Sequence, residues 1–491
     1  MERVLQGLEP ERVFYFFEEM CRIPHGSGNE QALSDWMVDF AKQRGLRVIQ
    51  DKVNNVIIYK PATAGNEHKK AVMLQAHMDM VAVKVAGSDI DLAKDPLDIY
   101  VEGDKIKARG TSLGGDDGAG CAMALALLDS DDIPHPALQC IFTTNEEVGM
   151  YGAADLDPNL FESEYLVNLD GGDDKTHLTV SCAGSSTNVF TIKKNPHVIE
   201  NKGEKAAYEI SIGGITSGHS AMMASFYGAN SIMLLGEYLA DIFAEFPAEL
   251  CCLGGGTKMN AIAKESFAKL VIEKKNAAAF EQFTLKLAEG FVKEYLATDP
   301  DIFIKVTPCE MPEKAMDETA AKNFVKLTDL VPNWAFKYFA PDKLATKVSS
   351  NAGILTDDGE VIELTCMLRS NSDLYHEEYI RKMVTLAELL GIGHRIEGKS
   401  MAWEYEPDAV LPKIYSDLIE KETGKRPVPV MTHGGVEPGT IIALAKSVGK
   451  SLSAIVMGSR GEGIHSVDEA LFISSVGPAY DWLIKVINSL D

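Results

Sequence analysis

The stretch AVMLQAHMDM, residues 71–80, is an apolar run that passes directly into a histidine and an aspartate. We interpret it as a buried β-strand with polar side chains at its carboxyl end. LQCIFTTNEEVG at 138–149 and EYLVNLDGGD at 164–173 have the same shape, and the helical pattern GAGCAMALALLDS at 118–130 separates the first two strands. Strands that alternate with helices predict an α/β fold with a central mixed, largely parallel sheet flanked by helices. Open sheets of this kind bind ligands at the carboxyl ends of their strands.

The middle of the chain has a different pattern. Residues 184–395 contain strand patterns, a long amphipathic helix, the hairpin pattern KVSSNAGILTDDGEVIELTCMLRS at 347–370 and another helix, without a βαβ rhythm. We therefore predict an inserted α+β domain of the ferredoxin-like type at 184–395, between two parts of one α/β domain at 1–183 and 396–491. The insert also contains two similar strand segments that suggest a weak internal repeat, 254–274 and 351–370.

Composition and charge exclude several classes of protein. With 46% hydrophobic and 24% charged residues, the 491-residue chain can bury a large core, so it is not intrinsically disordered. Its 47 Lys and Arg against 72 Asp and Glu give a net charge of −25. This acidic balance argues against nucleic acids and anionic membrane surfaces as partners, because both are bound through Lys and Arg.

The sequence also lacks the usual signals for secretion and membrane insertion. The start of the chain carries acids from position 2 and has no apolar core followed by a small-residue cleavage site. The longest apolar stretch, 119–128, is about half the length of a membrane-spanning helix. Eight cysteines show no disulfide framework and no CxxC spacing, so we expect reduced thiols and a cytoplasmic protein.

Five clusters of polar residues could carry chemistry, and four of them follow predicted strands. They are 77–79, 114–118, 145–147, 169–171 and 463–466. Each cluster alone is typical of a turn, a helix cap or a solvated strand end. Together they place acids directly after buried strands, where an unpaired carboxylate is costly, and Lys and Arg are scarce around them. A bound metal ion is the simplest counter-charge.

The residue types in these clusters indicate which metal ions they favour. His, Asp and Glu without thiolates are typical of zinc, manganese or cobalt sites, whereas oxygen ligands alone would indicate magnesium or calcium. His77 and Asp79 are two residues apart on a strand and face the same side, which allows Asp79 to orient a metal-bound imidazole. Glu146 and Glu147 point opposite ways, so one can bind metal while the other faces a water. The acids in GGDDGAG argue against a dinucleotide-binding loop, which needs bare backbone amides for phosphate.

The motifs HMD, GGDDGAG, TTNEEVG, LDGGD and GEGIHS, in this order and spacing, resemble the signature of the co-catalytic dinuclear zinc peptidases. That family includes bacterial glutamate carboxypeptidase, peptidase T, the carnosinases and the aminoacylases. The length, the insert and the segments HGGVEPG and GEGIHSVDE are most similar to its cytosolic Xaa-His dipeptidase branch, which includes peptidase D, aminoacyl-histidine dipeptidase and β-Ala-His dipeptidase. The resemblance implies a zinc-peptidase catalytic domain that is interrupted by a lid domain.

The resemblance implies roles for residues in all five clusters. It implies two divalent metal ions, most simply zinc, with manganese or cobalt as alternatives. The expected ligands are His77 and Asp170 on one ion, Glu147 and His465 on the other, and Asp116 between the two. It further implies that Asp79 orients His77, that Glu146 is the general base and that the peptide bond after Asp116 is cis.

Residues of the insert and of the C-terminal part resemble the substrate contacts of the family. His219 in GITSGHSAMM is expected to stabilise the oxyanion, and Asn260 in GGGTKMNAIA to hydrogen-bond the substrate. Arg369 in LTCMLRSNSD is expected to bind the substrate α-carboxylate. His433 and Glu437 in THGGVEPG are expected near the site, with Glu437 at a free α-amine. The resemblance allows a homodimer through the lid and leaves open whether His219 acts in its own chain.

The activity that the resemblance implies is hydrolysis of small peptides. We expect a metal-dependent dipeptidase for unblocked dipeptides of the Xaa-His type, such as Ala-His or β-Ala-His, with a metal-activated water and Glu146 as base. An N-acyl-amino-acid deacylase or a carboxypeptidase with the same metals stays open. A non-catalytic zinc-binding protein is the remote alternative, and the intact Glu146 argues against it, because a general base is not needed to hold metal.

Overall fold

The computed structural model describes residues 3–172, 175–339 and 345–490. The chain divides into two compact units. The first unit consists of Met1–Cys182, Trp403–Met431 and Val436–Asp491, and the second of Ala183–Ala402 and Thr432–Gly435. The second unit thus extends beyond the expected 184–395, and it includes a short segment from the region that was expected in the α/β domain.

The first unit is built around an eight-stranded sheet and a four-stranded sheet. Its strands are β1 (Arg47–Gln50), β2 (Val56–Lys60), β3 (Val72–His77), β4 (Ile99–Glu102), β5 (Lys105–Ala108), β6 (Leu138–Thr143), β7 (Tyr165–Asn168), β8 (His177–Cys182), β20 (Val428–Thr432), β21 (Ser453–Val456), β22 (Gly461–Glu462) and β23 (Ala470–Phe472). The large sheet has the order β1-β2-β6-β3-β7-β21-β8-β20.

The large sheet is mixed, as predicted, and its parallel part is confined to the centre. Strands β6, β3, β7 and β21 are parallel to their neighbours in this group, whereas β1 with β2, β2 with β6 and β8 with β21 are antiparallel. The expectation of a largely parallel sheet therefore holds only for the four central strands. At the edge, the short connection between β1 and β2 allows only a hairpin, because parallel strands need a long crossover.

The helices of the first unit include one that is buried along its length. They are α1 (Glu11–Cys21), α2 (Gln31–Gln43), α3 (Gly115–Asp129), α4 (Tyr151–Asp155), α9 (Val410–Thr423), α10 (Glu437–Ser447) and α11 (Ile473–Asn488). From Gly118 to Leu128, helix α3 is apolar on all sides, and Ala122, Leu125 and Leu127 are fully buried. A Cβ on Gly118 would lie 3.2 Å from the Phe17 ring, so this glycine allows α1 and α3 to pack closely. This packing fixes the start of α3, which carries Asp116.

The parallel strands bring three of the predicted clusters to one edge of the sheet. Strand β3 ends at His77, which pairs with Thr143 at the end of β6. Strand β7 ends at Asn168, directly before Leu169 and Asp170. Since these strands are parallel, their carboxyl ends lie side by side, and the segments that follow them share the same edge, as predicted.

The second unit contains two halves with the same βαββαβ topology. One half is continuous in the chain and lies between the first strand and the first helix of the other half. It consists of β11 (Lys205–Gly213), α5 (Ser231–Glu245), β12 (Ala248–Gly255), β13 (Ser266–Glu273), α6 (Ala277–Tyr295) and β14 (Phe303–Pro308). The half around it consists of β9 (Gly184–Lys193), α7 (Glu318–Leu330), β17 (Thr346–Asp357), β18 (Val361–Ser370), α8 (Asp373–Leu390) and β19 (Gly393–Lys399). Shorter strands complete the unit, namely β10 (His197–Val198), β15 (Lys314–Ala315) and β16 (Trp334–Tyr338).

The two halves form one continuous antiparallel sheet. Its order is β14-β11-β13-β12-β17-β18-β9-β19, so each half has the strand order of a ferredoxin-like fold. The halves join through β12 and β17, which are the second strands of their halves. The insert therefore contains the expected ferredoxin-like topology twice. The segments 254–274 and 351–370 fall on the equivalent strand pairs β12–β13 and β17–β18.

A buried ion pair in one half is hydrogen-bonded to the other half. Lys194 follows β9, and its Nζ lies 2.7 and 2.8 Å from the two carboxylate oxygens of Asp357 at the end of β17. The same Nζ donates to the carbonyl oxygen of Cys251 on β12 at 3.1 Å, and Asp357 accepts a hydrogen bond from Leu253 N at 3.2 Å. These charge-assisted bonds fix the ends of strands from both halves.

Within the described ranges, no helix has both the length and the apolar character that crossing a bilayer requires.

Candidate metal centre and substrate contacts

Five side chains with metal-binding atoms meet at the carboxyl edge of the large sheet. They are His77, Asp116, Glu147, Asp170 and His465. His77 ends β3, Asp116 lies in the first turn of α3, and Glu147 and Asp170 follow β6 and β7. His465 lies in the loop between β22 and β23, with a positive φ of 64°. The fold thus gathers five positions that are far apart in the chain.

One group consists of His77, Asp116 and Asp170. His77 Nε2 lies 3.2 Å from Asp116 Oδ1 and 4.0 Å from Asp170 Oδ2. One ligand atom from each residue lies within 4.8 Å of the others. The imidazole is buried, whereas the two carboxylates are partly exposed. Three protein ligands with one open side are typical of a catalytic metal site rather than a closed structural one.

A second group consists of Asp116, Glu147 and His465. His465 Nε2 lies 2.8 Å from Glu147 Oε2 and 3.4 Å from Asp116 Oδ2. Asp116 therefore belongs to both groups and turns one oxygen toward each histidine. The peptide bond that follows Asp116 is cis, as the resemblance implies. The geometry of the two groups allows Asp116 to bridge two ions.

Glu146 lies beside both groups. One of its oxygens, together with atoms of His77 and Glu147, forms a third set within 4.8 Å. The side chain is half-buried, and burial is the main cause that raises its pKa, to about 8. An acid with a pKa near neutrality at an open edge is suited to accept and return a proton.

The electrostatics of this edge favour bound cations. Among the ion pairs of the described residues, the carboxylates of Asp116, Glu147 and Asp170 meet histidines and no Lys or Arg. Glu147 Oε1 is buried without a hydrogen-bond partner in the described part of the chain. Burial, followed by the charge of Asp116, raises the pKa of Asp170 well above its usual value, as expected of an acid without a counter-charge. Imidazole nitrogens with carboxylate oxygens fit two divalent ions such as zinc, manganese or cobalt.

Asp79 is buried, and its carboxylate is shared among three donors. Oδ1 accepts a hydrogen bond from Glu146 N at 2.9 Å, and Oδ2 accepts from Ser27 Oγ at 2.7 Å and from Glu147 N at 3.3 Å. His77 Nδ1 lies 3.6 Å from Asp79 Oδ1 but 3.0 Å from the Asp79 carbonyl oxygen. The expected carboxylate–imidazole contact is longer than a hydrogen bond, because backbone amides engage the carboxylate. Asp79 thus fixes the backbone of the turn that contains Glu146 and Glu147, and its carbonyl oxygen contacts His77 at the end of β3.

A residue that sequence analysis did not single out holds the loop before Asp116. Glu469 is 4% exposed and accepts hydrogen bonds from the backbone N–H groups of residues 113–115 at 2.8–3.1 Å. Because Glu469 follows His465 in the chain, its carboxylate ties together two segments that carry candidate ligands. Its only sequence signal is its place in GEGIHSVDE, where an acid is equally typical of a helix cap.

Glu437 begins α10 and lies beneath the edge that carries the ligands. Its carboxylate is fully buried and accepts hydrogen bonds from Gln75 and from Thr143 Oγ1, while Oε1 has no partner among the described residues. Burial raises the pKa of Glu437 to about 7. The resemblance implied contact with a substrate amine, and that role stays a prediction for a side chain so completely enclosed.

The second unit contains a buried cation among neutral polar groups. Arg369 on β18 is 7% exposed, and its Nε has no hydrogen-bond partner among the described residues. Burial lowers the pKa of Arg369 to about 10, and no carboxylate within the described ranges opposes this shift. His433 bonds Ser349 Oγ at 2.7 Å and Asn371 Oδ1 at 2.9 Å, and burial followed by the Arg369 charge lowers its pKa to about 3. His433 is therefore neutral at pH 7, and the site favours an anion beside Arg369.

His219 and Asn260 lie on two loops of the second unit that are hydrogen-bonded to each other. Ser220 N donates to the Asn260 carbonyl oxygen at 2.8 Å, and Ile262 N donates to the Gly218 carbonyl oxygen at 3.0 Å. His219 is exposed, and desolvation followed by the charge of Arg369 lowers the pKa of its ring. The two predicted substrate contacts therefore belong to one backbone-paired substructure.

The shared position of Asp116 leads to a prediction about metal stoichiometry. Removing Asp116 takes a ligand from both groups, whereas removing Asp170 or Glu147 takes a ligand from one. We expect Asp116→Ala to bind neither of two ions tightly, and Asp170→Ala and Glu147→Ala each to keep one. The metal affinity of each weakened site should fall by more than about 10–100-fold, which is the loss expected for a residue that contacts only a ligand and not the metal. Zinc titration of metal-stripped protein by calorimetry measures the number of ions bound and their affinity. The exposed Asp468→Ala is the control. Loss of the same number of ions in all three variants would contradict a shared ligand.

The chain is similar to known proteins over nearly its full length. Residues 73–489 match the family model of Peptidase family M20/M25/M40. Over 489 residues the chain is 29% identical to the cytosol non-specific dipeptidase of Escherichia coli strain K12, with 99% of each chain covered. The crystal structure of aminoacylhistidine dipeptidase from Vibrio alginolyticus is similar with a TM-score of 0.88 at 27% identity, covering 99% of this chain and 98% of that chain. Aminopeptidase PepT from Bacillus cereus ATCC 10987 shares the fold, with a TM-score of 0.54 at 14% identity over 98% of this chain and 99% of that chain. The resemblance drawn from the five clusters is thereby confirmed, and the chain belongs to Peptidase family M20/M25/M40, a family of hydrolases that act on peptide bonds.

Proposed function

We propose that this protein is a metal-dependent dipeptidase for unblocked dipeptides, with Xaa-His substrates such as Ala-His or β-Ala-His. The observation that carries the proposal is the pair of ligand groups that share Asp116, with Glu146 beside both. The names of two full-length relatives, a non-specific dipeptidase and an aminoacylhistidine dipeptidase, support the substrate class. A cytoplasmic location is supported by the name of the first relative.

The proposed cofactor is a pair of divalent ions, for which zinc fits the donor set and manganese or cobalt are alternatives. His77 and Asp170 would hold one ion, Glu147 and His465 the other, and Asp116 both. Such a pair would polarise the peptide carbonyl as a Lewis acid and would lower the pKa of a bound water to about 7.

Glu146 is the proposed general base and acid. Its carboxylate accepts a proton from the attacking water as the water oxygen bonds the peptide carbon. It then returns that proton to the amine nitrogen as the carbon–nitrogen bond breaks. The hydrogen bond from Glu146 N to Asp79 holds the backbone of the base, so the side chain starts from a fixed position.

Residues of the second unit are proposed to recognise the substrate. Arg369 would bind the α-carboxylate with its guanidinium, since this buried cation lacks a carboxylate partner in the described part of the chain. His219 would stabilise the oxyanion, and Asn260 and His433 would hydrogen-bond the substrate. Glu437 would favour a free α-amine.

The choice between dipeptidase and its alternatives is tested by substrate. Metal-stripped protein is reloaded with zinc, manganese or cobalt and assayed on Ala-His, β-Ala-His, N-acetyl amino acids and longer peptides. We expect turnover of the free dipeptides. Turnover of N-acetyl amino acids alone would identify a deacylase, release of C-terminal residues from longer peptides would identify a carboxypeptidase, and no turnover with two bound ions would identify a non-catalytic protein.

Replacement of the base separates chemistry from metal binding. Because Glu146 is not needed in either group that shares Asp116, we expect Glu146→Gln to keep two ions and to lose about 10²–10⁴-fold in kcat. Metal analysis and steady-state kinetics measure the two effects on one preparation. The exposed Glu200→Gln is the control. Normal turnover in a metal-replete Glu146→Gln protein would remove Glu146 from this role.

Recognition of the substrate carboxylate is tested by changing both partners. A buried charge pair that loses one member is weakened by about 2–5 kcal/mol, so we expect Arg369→Met to raise KM for a dipeptide by at least about 30-fold. The same variant should handle the C-terminal amide of that dipeptide as the wild type does. The exposed Arg381→Met is the control. An equal change in KM for the acid and the amide would mean that Arg369 does not bind the carboxylate.

The duplicated second unit supports the proposal that His219 acts in its own chain. Both ferredoxin-like halves belong to one polypeptide, so a partner subunit is not needed to provide the second half. We expect that mixing the inactive variants His219→Ala and Glu146→Gln restores no activity. Recovery of activity in the mixture, with dimers seen by light scattering, would show that the histidine acts across a homodimer.

A further inference from the structure

The loop that carries His219 is closed by a single buried carboxylate. Asp299 Oδ1 accepts a hydrogen bond from Thr216 N at 2.8 Å, and Oδ2 accepts one from Ala229 N at 2.9 Å. These two N–H groups mark the beginning and the end of the loop 216–229. Asp299 is fully buried, and it lies outside every motif that the sequence analysis identified.

Asp299 is itself rigidly placed. It follows α6, where its own N–H donates to the Tyr295 carbonyl oxygen at 2.8 Å. Thr298 Oγ1 donates to Asp299 Oδ2 at 2.8 Å, and Thr216 Oγ1 donates to the Thr298 carbonyl oxygen at 3.0 Å. A Cβ on Gly228 would lie 2.8 Å from Asp299 Oδ2, so the end of the loop has no room to move toward the carboxylate. The helix end and the loop therefore form one packed junction.

The closed loop is also paired with the loop that carries Asn260. His219 forms an isolated β-bridge with Ala261, in addition to the backbone bonds from Ser220 and Ile262 described above. Asn351 Nδ2 donates to the carbonyl oxygens of Met259 and Ala261 at 3.1 and 2.8 Å. The positions of both candidate substrate contacts therefore depend on where the ends of loop 216–229 are fixed.

We propose that Asp299 is a positioning residue for the oxyanion-stabilising histidine, which rests on the role of His219 proposed above. A hydrogen bond to a charged acceptor is about twice as strong as one to a neutral acceptor. Two such bonds from the ends of the loop reduce the number of conformations that the loop can adopt. Asp299 does not touch substrate. It acts by holding His219 and its neighbour loop in one geometry, and a small misplacement of a catalytic group is costly for rate.

The substitution Asp299→Asn tests this role with almost no change in size. An amide has one oxygen, so its NH₂ group must face either Thr216 N–H or Ala229 N–H, and that end of the loop is released. We expect kcat for a dipeptide to fall about 10–100-fold. Two ions should remain bound, because no candidate ligand lies in the second unit. Asp301→Asn, an exposed aspartate two residues along, is the matched control and should behave as the wild type.

A double variant distinguishes positioning from general damage. If Asp299 acts through His219, adding Asp299→Asn to His219→Ala should change kcat less than twofold. If the two losses multiply, Asp299 affects turnover by another route and the proposal is overturned. Should Asp299→Asn fold poorly, Thr298→Val removes one bond to the same carboxylate, and it should give a smaller loss with the same dependence on His219.

Hydrogen exchange provides a readout that does not depend on activity. We expect faster amide exchange in 216–229 in Asp299→Asn, with unchanged exchange in β3 and β6 of the first unit. Unchanged exchange in the loop would overturn the proposal. If the loop exchanges faster but the wild type hydrolyses no dipeptide, then Asp299 positions the loop as proposed and it is the dipeptidase function that fails.

Discussion

Repulsion among carboxylates at one edge of a sheet is the constraint on which the rest of the metal centre depends. Two like charges about 4 Å apart repel by about 4 kcal/mol at an effective dielectric constant of 20. The acids respond in opposite directions: burial and neighbouring charge raise the pKa of Asp170, whereas hydrogen bonds from His465 and His77 outweigh burial and lower the pKa of Asp116. Divalent cations bound at this edge would remove the repulsion. Asp79 and Glu469 keep the acids from spreading apart, because each holds the backbone next to a ligand through several amide hydrogen bonds.

The predictable part of this centre is the part that sequence encodes locally. An apolar strand that ends in His77 has to place that histidine at a sheet edge, and the same pattern places Asp170 after β7. Parallel pairing then brings the strand ends together without further information. The residue types at that edge indicate the class of metal. For these reasons the fold class and the edge could be predicted from the residues themselves. The set of five ligands was implied by the family resemblance, and the distances between them required the structure.

The residues that escaped prediction act on backbone groups far away in the chain. Glu469 and Asp299 accept hydrogen bonds from amides, and any amide satisfies an acid, so neither leaves a pattern of residue types. The two ferredoxin-like halves share strand order more than sequence, so the repeat was visible only at β12–β13 and β17–β18. The assignment of Thr432–Gly435 to the second unit could not be predicted either, because a segment so short changes neither composition nor periodicity.

The two units differ in the charge of their candidate sites. The first unit concentrates acids around a place for cations, and a free α-carboxylate brought to that edge before metal loading would be repelled. The second unit offers the opposite environment, where a neutral His433 and a buried Arg369 favour an anion. A zwitterionic dipeptide has one charge of each sign, separated by a single peptide bond. The carboxylate of such a dipeptide matches the buried cation of the second unit, and an N-acylated amino acid presents the same carboxylate without the charged amine.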